Sequence, residues 1–239
     1  MGFKNIRPLH IMWQEGIEPN QLDGVWHGIV KTLQKAEVLS EFKLYSYAAG
    51  RRKNYKNKDG LLNPHQSLDW HIERARQQSK KPGYLNSTVL LNTLAEDPAY
   101  NTDAKYDLVI VREPLHYSDH SLRTVDGVGR QKQVAVITIG SRLHLLQPVA
   151  NESAAKNLIR KKHFSLATQM LAIHELGHVF GLLPGTGNKN PNDQELKDAH
   201  CLKDCVMYWQ EDAVMYEKII AEPFCPDCKE KLKQFFLEV

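Results

Sequence analysis

Apolar residues in the first part of the chain change between helical and strand-like spacing. A helical pattern covers residues 19–38, where the apolar positions are Leu22, Val25, Trp26, Ile29, Val30 and Leu33. Strand-like runs lie on either side of it, in residues 5–13 and 42–49. This order predicts a β-α-β unit at the start of the chain.

Two β-branched runs follow, "YDLVIVRE" at 106–113 and "KQVAVITIG" at 132–140, with a predicted loop containing Asp126-Gly127 between them. Continuous apolar runs of this length are typical of strands covered on both faces. Residues 66–78, with Ser67 as a candidate cap, and residues 87–97 are predicted to be helices. The pattern indicates an α/β fold in which helices layer a central sheet.

A longer helical pattern covers residues 153–182 and carries polar residues in an apolar setting. Its last part reads "LAIHELGHVFGLL", residues 171–183. Polar side chains buried without partners cost roughly 1–3 kcal/mol each, so His174, Glu175 and His178 need a compensating interaction. Gly181 is predicted to end the helix, because glycine readily adopts the left-handed conformation found there.

Composition limits the class of protein. The chain has 239 residues, 42% of them hydrophobic, and a formal net charge of +3. So small a charge does not by itself indicate a nucleic-acid or membrane surface. The basic segment 50–64 is predicted to be a solvated loop, with a polyanion-binding loop as the alternative. Without a secretory or membrane-spanning segment in this sequence, we expect a cytoplasmic protein that does not bind membranes.

The His-Glu-x-x-His pattern is typical of a metal site. Residues four apart lie on one face of a helix, so His174 and His178 can direct their imidazoles at one metal ion. Glu175 can reach a metal-bound water without being a ligand. A catalytic zinc needs a third protein ligand, and the next histidine is His200. The alternative is a pair of hydrogen-bonded core histidines.

All four cysteines lie in the last 39 residues. Cys201 and Cys205 form a C-x3-C pair, and Cys225 and Cys228 form a C-x2-C pair. Four thiolates in this arrangement can close a structural zinc site. Two disulfides or four free thiols are the alternatives.

The C-terminal third resembles the archaemetzincin family of metzincin metallopeptidases. The motif residues are His174, Glu175, His178, Gly181, His200, Cys201, Cys205, Met207, Cys225 and Cys228. The resemblance implies a metzincin-like mixed, twisted sheet flanked by helices, with a long active-site helix and a smaller C-terminal subdomain around a structural zinc bound by the four cysteines. It also implies a catalytic zinc on the three histidines, Glu175 as general base and acid, and a Met-turn at Met207.

Two features depart from the family pattern. Residues 182–199 intervene before His200, and the first cysteine pair encloses three residues instead of four. Because of this insertion, Glu195 is a competing third ligand of the gluzincin type. We expect a catalytic subdomain over 1–181 and a C-terminal subdomain over 182–239, which together form one compact domain.

The sequence therefore predicts a zinc-dependent peptidase with two zinc ions, acting as a monomer on a peptide or protein substrate, with no nucleic-acid partner. Glu175 would take the proton of the attacking water and pass it to the leaving amine. A binding module with two structural zincs is one alternative. A zinc-stabilised nucleic-acid-binding protein is another.

Overall fold

The structure, a computed structural model, describes residues 2–48, 68–96, 104–117, 124–182, 200, 201, 203, 205–208 and 216–237. Several predicted features lie outside these residues. They are the basic loop at 50–64, the cap at Ser67, nearly all of the insertion at 182–199, and Glu195.

Five strands form the main sheet: β1 (Leu9–Trp13), β2 (Leu44–Ala48), β4 (Tyr106–Val111), β7 (Gly127–Arg130) and β8 (Val134–Thr138). Their order is β2-β1-β4-β8-β7. The first four are parallel, and β7 runs antiparallel to β8 at one edge. Every residue of β4 and β8 is buried, which agrees with the continuous apolar runs in these segments.

A smaller sheet contains β3 (Leu85–Asn86), β5 (Leu115–His116) and β6 (Thr124–Val125). Strands β6 and β7 lie on either side of Asp126, in the segment between the two β-branched runs where a loop containing Asp126-Gly127 was predicted. That part of the prediction was wrong at these two strands. Both strands are short, and β7 contains Gly127 and Gly129, so it lacks the β-branched alternation that marks a strand in a sequence.

Six α-helices are described: α1 (Asp23–Lys35), α2 (Leu68–Gln77), α3 (Ser87–Ala95), α4 (Ala154–Val179), α5 (Tyr216–Ala221) and α6 (Pro226–Phe236). Short 3-10 helices cover Pro19–Gln21, Leu39–Glu41 and Gly140–Leu146. The predicted helices at 19–38, 66–78, 87–97 and 153–182 are confirmed, with shorter bounds. No helix in the described ranges is long and apolar enough to cross a membrane.

Alternate residues of the central strands point into two hydrophobic cores, one on each face of the sheet. Leu108 and Ile110 of β4 join α1, α4 and α6 in the first core, whereas Val109 and Val111 join α2 and α3 in the second. Helix α1 approaches α4 closely at Gly28. A Cβ added to this residue would lie only 2.6 Å from a backbone oxygen of α4. The predicted α/β fold, a mixed sheet flanked by helices, is confirmed.

The C-terminal residues contribute to the first core. Leu232 and Phe236 of α6 are fully buried, and the ring of Phe236 lies 5.0 Å from that of Phe180. Side chains from the two predicted subdomains, 1–181 and 182–239, therefore pack together in one core. The boundary between these subdomains stays a prediction.

Candidate active site

Helix α4 carries the His-Glu-x-x-His residues, and both of its ends are capped. Ser153 accepts a hydrogen bond from the Lys156 amide at the start of the helix. At the other end Gly181 has a φ of +83°, its N–H donates to the His178 carbonyl at 3.1 Å, and the Leu182 N–H donates to the Gly177 carbonyl at 2.8 Å. These two bonds are those of a Schellman cap, so the chain turns where Gly181 predicted.

The two helix histidines face each other through their Nε2 atoms, which are 3.1 Å apart. Each Nδ1 lies beside a backbone carbonyl oxygen, of Val206 at 2.7 Å for His174 and of Leu182 at 3.2 Å for His178. A carbonyl only accepts hydrogen bonds, so each Nδ1 carries a proton and donates. In the neutral rings both Nε2 atoms then present lone pairs, which is the form that binds a metal.

His200 completes a group of three imidazoles. Its ring centroid lies 5.2 Å from that of His174 and 5.4 Å from that of His178. Within the group, the ligand nitrogens all lie within 4.8 Å of one another. Burial and then the neighbouring His200 lower the pKa of His174 to about 4, so this ring is neutral at physiological pH.

The chemistry of the three histidines fits zinc. Zinc bonds to imidazole nitrogen are about 2.0–2.1 Å long, so two nitrogens of a tetrahedral site lie roughly 3.3 Å apart. The Nε2 atoms of His174 and His178 are separated by nearly this distance. Three neutral imidazoles with a nearby carboxylate are also the donor set typical of catalytic zinc sites.

Glu175 is buried beside the histidines, with 4% of its surface exposed. Within the described part of the chain, its Oε2 atom is buried and has no hydrogen-bond partner. Burial, together with the charge of Asp126, raises the pKa of Glu175 to about 8. A carboxyl group in this state can both accept and donate a proton near neutral pH.

Strand β7 passes next to Glu175, a contact that the sequence analysis missed. A Cβ on Gly127 would lie 2.5 Å from Oε1 of Glu175, and a Cβ on Gly129 would lie 3.1 Å from Cβ of His178. A larger residue at 127 would displace the Glu175 carboxyl group, and a larger residue at 129 would displace His178. The alternation of glycines in "DGVGR" was the available signal, because positions i and i+2 of a strand share one face.

The histidines and Glu175 line a cleft of about 340 Å³. One wall is mainly apolar and comes from α4, α5 and the segment after Cys205; its residues include Ala167, Met170, Leu171, Val206 and Ile219. An ion pair also lines the cleft, with Arg142 Nη2 2.6 Å from Asp126 Oδ2. Ser141 donates to the other oxygen of Asp126 at 2.8 Å. No pattern in the sequence had indicated this pair.

The four cysteines form a second cluster. Their sulfur atoms all lie within 4.8 Å of one another, and none of the four is in a disulfide. The sulfurs of Cys201 and Cys225 are 3.8 Å apart, and those of Cys205 and Cys228 are 4.0 Å apart. With Zn–S bonds of about 2.3 Å, a tetrahedral zinc separates its sulfurs by roughly 3.8 Å. The cluster therefore fits a structural zinc.

Two features favour a thiolate in this cluster. The hydrogen bond from the Cys228 thiol lowers the pKa of Cys205 to about 5, and the same pairing raises the pKa of Cys228, so the thiolate is at Cys205. Cys225 is the residue that precedes α6, and Cys228 lies in the first turn of that helix, where the helix dipole favours negative charge.

Met207 is fully buried and packs against α4, where a Cβ on Gly177 would lie 2.4 Å from its sulfur. Its carbonyl accepts a hydrogen bond from the Cys201 N–H at 2.8 Å. The structure thus brings together His174, Glu175, His178, His200, the four cysteines and Met207, all of which the sequence singled out. Glu195 lies outside the described residues.

The mixed sheet, with the His-Glu-x-x-His helix packed on it and a cysteine cluster after it, defines a metzincin-like α/β fold. Among solved structures, the chain is similar to the crystal structure of the archaemetzincin from Methanopyrus kandleri, with a TM-score of 0.57 and 21% identity. The match covers 97% of this chain and 96% of that one. The fold is therefore archaemetzincin-like over nearly the whole length. No family model and no curated protein matches the sequence.

Proposed function

We propose that this protein is a zinc-dependent metallopeptidase. The observation that carries the proposal is the group of three imidazoles beside a buried carboxyl group in the wall of an open cleft. A purely structural metal site has no need of an acid at that point. The likeness to an archaemetzincin structure supports the same class of enzyme.

In this proposal His174, His178 and His200 hold the catalytic zinc. When bound, the zinc supplies Lewis acidity, which lowers the pKa of water towards neutrality and stabilises negative charge on a substrate carbonyl oxygen. The protein keeps the imidazoles neutral and orients two of them through their Nδ1–H bonds to backbone carbonyls. His200 is preferred to Glu195 because its ring lies close to both other rings, at 5.2 and 5.4 Å.

Glu175 acts as general base and then as general acid. Its carboxylate takes a proton from the attacking water and later delivers it to the amine that leaves the peptide bond. Burial raises the pKa of this carboxyl, which favours the protonated form after Glu175 has taken the proton from water. Gly127 supports the role by leaving the space that the carboxylate occupies.

A peptide in extended form suits the cleft. Strand β7 is at the edge of the main sheet and, within the described residues, pairs only with β8. The other edge of β7 can therefore form main-chain hydrogen bonds with a substrate strand. Apolar residues of α4 and α5 and the Asp126–Arg142 pair would receive the substrate side chains.

The proposal also covers the second zinc, the role of Met207, the cellular location and the substrate class. The second zinc is held by Cys201, Cys205, Cys225 and Cys228, and Met207 forms a Met-turn that packs against the active-site helix. Four cysteines without disulfides suit a reducing compartment, which supports a cytoplasmic location. We further propose a monomer with a peptide or protein substrate and no nucleic-acid partner.

Replacement of Glu175 by glutamine tests the proposal. Wild type, Glu175→Gln and the control Glu15→Gln, at an exposed position, are loaded with zinc and incubated with a mixed peptide library. Cleavage is read by mass spectrometry and zinc content by elemental analysis. General acid–base catalysis contributes about 10²–10⁴-fold, so Glu175→Gln should lose that factor and keep both zincs.

The control Glu15→Gln should cleave at the wild-type rate. Equal cleavage by wild type and Glu175→Gln would contradict the mechanism. A fully zinc-loaded wild type that cleaves nothing in the library would instead favour a binding module with two structural zincs.

A further inference from the structure

A short backbone segment joins the histidine cluster and the cysteine cluster. Val206 directly follows Cys205, and its carbonyl oxygen is the acceptor for Nδ1 of His174 at 2.7 Å. The Val206 N–H donates to the carbonyl of Pro223 at 2.7 Å, two residues before Cys225. One peptide segment is thereby tied to the second cysteine pair on one side and to a helix histidine on the other.

The third histidine depends on the same segment. His200 immediately precedes Cys201, so the position of its backbone follows that of the first cysteine. The Cys201 N–H donates to the Met207 carbonyl at 2.8 Å, and the Tyr208 N–H donates to the Cys205 carbonyl at 2.9 Å. Both ends of the first cysteine pair are therefore fixed to the backbone at 207 and 208.

His178 is held differently. The acceptor for its Nδ1 is the carbonyl of Leu182, the residue whose N–H closes the Schellman cap at the end of α4. This bond does not involve the cysteine segment. Two of the three imidazoles are thus positioned through the cysteine cluster, and one is positioned by the helix itself.

We propose that occupation of the cysteine cluster by a metal sets the metal affinity of the histidine cluster. The four sulfurs fix the first cysteine pair, which holds the Val206 carbonyl against His174 and places His200 over the helix pair. Val206 and the cysteines are positioning residues in this scheme. The inference rests on the metal sites of the proposed function, but it does not require that the protein cleave peptides.

The expected loss of metal affinity can be estimated from known effects of groups that hydrogen-bond to metal-bound imidazoles. Loss of a hydrogen-bond partner that orients a metal-bound imidazole typically costs about 10–100-fold in metal affinity. Emptying the cysteine cluster should therefore weaken metal binding at the histidines by at least about 10-fold. Because coupling between two binding sites is reciprocal, emptying the histidine cluster should weaken the cysteine cluster by the same factor.

Cobalt(II) titration of the full chain measures both sites separately. A thiolate-to-cobalt charge-transfer band reports the cysteine cluster, and the weaker d–d bands of a histidine site report the other. Three variants are compared with wild type: Cys228→Ser, Cys228→His and His178→Ala. Histidine at 228 retains a zinc ligand, in a set of three thiolates and one imidazole. This variant should therefore restore most of the affinity that Cys228→Ser loses at the histidine cluster.

The outcomes decide between coupled and independent sites. Cys228→Ser with native far-ultraviolet circular dichroism, an empty cysteine cluster and unchanged cobalt affinity at the histidines would overturn the inference. If Cys228→Ser does not fold, the His178→Ala arm decides, with the cysteine cluster of wild type measured while its histidines hold metal: an unchanged affinity in the variant overturns the inference, and a loss of at least about 10-fold supports it. Absence of any cobalt binding at the histidines of wild type would refute the proposed function as well, whereas two independent sites would refute the coupling alone.

Discussion

The two clusters are close in sequence but differ in what surrounds them. The histidine cluster lies in the wall of a cleft, beside a buried acid with one oxygen that has no partner among the described residues. The cysteine cluster has three of its four members buried, and they belong to the hydrophobic core. The proposed function accounts for this difference by a division of labour, in which the accessible site would perform the chemistry and the enclosed site would stabilise the fold.

The largest expected effect is a difference in thermal stability between variants of the cysteine cluster and variants of the histidine cluster. The double variant Cys225→Ser/Cys228→Ser should lose zinc binding that contributes on the order of 10 kcal/mol to structural sites, and it should unfold at much lower temperature. His174→Ala/His178→Ala should lower the unfolding temperature far less, because the apolar face of α4 remains buried. Thermal unfolding at a fixed free zinc concentration measures both.

If the two double variants unfolded at the same temperature, the division of labour between the clusters would be wrong. Zinc content of each variant at saturating free zinc serves as the control, since each should then hold one equivalent at its remaining site.

An intermediate effect is expected on catalysis at β7. Gly127→Ala would place a methyl group within 2.7 Å of three atoms of the Glu175 side chain, so the carboxylate must move. We expect a loss of about 10–100-fold in kcat/KM, since small displacements of catalytic groups have effects of this size. Zinc content should not change, because Gly127 contacts the acid and not a ligand.

Gly83→Ala is the matched control, because its added Cβ would meet no atom within 4 Å. Gly83 has a φ of +77°, so this variant should lose roughly 1 kcal/mol of stability and keep its activity. If the two glycine variants lost the same activity, the loss in Gly127→Ala would not come from displacement of Glu175.

The smallest effect is expected where a surface ion pair joins the two cysteine pairs. Lys203 and Asp227 are 2.5 Å apart, and more than half of each side chain is exposed. The pKa of Asp227 is lowered chiefly by its hydrogen bond with Lys203, so any stabilisation is present at neutral pH and is lost as the carboxyl protonates in acid. Exposed pairs contribute little, so Asp227→Asn should leave the unfolding temperature and both metal affinities unchanged within error at about pH 7.

A clear loss of cysteine-cluster affinity in Asp227→Asn would mean that the surface pair, and not the metal, joins the two cysteine pairs. The measurement is a chelator competition titration on wild type and variant at the same ionic strength.

Local periodicity explains most of what could be predicted from the sequence. The apolar spacing in 19–38 and 153–182 gave α1 and α4, and the positions of His174 and His178 four residues apart gave one shared face. The β-branched runs gave β4 and β8. The cysteine spacings gave two pairs that can share a metal, and the structure brings those pairs together.

The contacts that could not be predicted from the sequence depend on groups that leave no pattern of residue types. The Val206 carbonyl is a backbone atom, and any residue type at 206 would offer one. Strand β7 is built on glycines whose value lies in the space they leave for Glu175. The Asp126–Arg142 pair joins residues 16 apart through tertiary packing. Such contacts follow from the fold and cannot be read from local patterns.

The central claim is that the histidines hold an accessible zinc and the cysteines an enclosed one. Anomalous diffraction at the zinc edge from crystals of the zinc-loaded protein tests it most directly. We predict two zinc peaks per chain, one bound by His174, His178 and His200 with a coordination position facing the cleft, and one bound by the four cysteines. A single zinc, or Glu195 in place of His200 as the third ligand, would contradict the account.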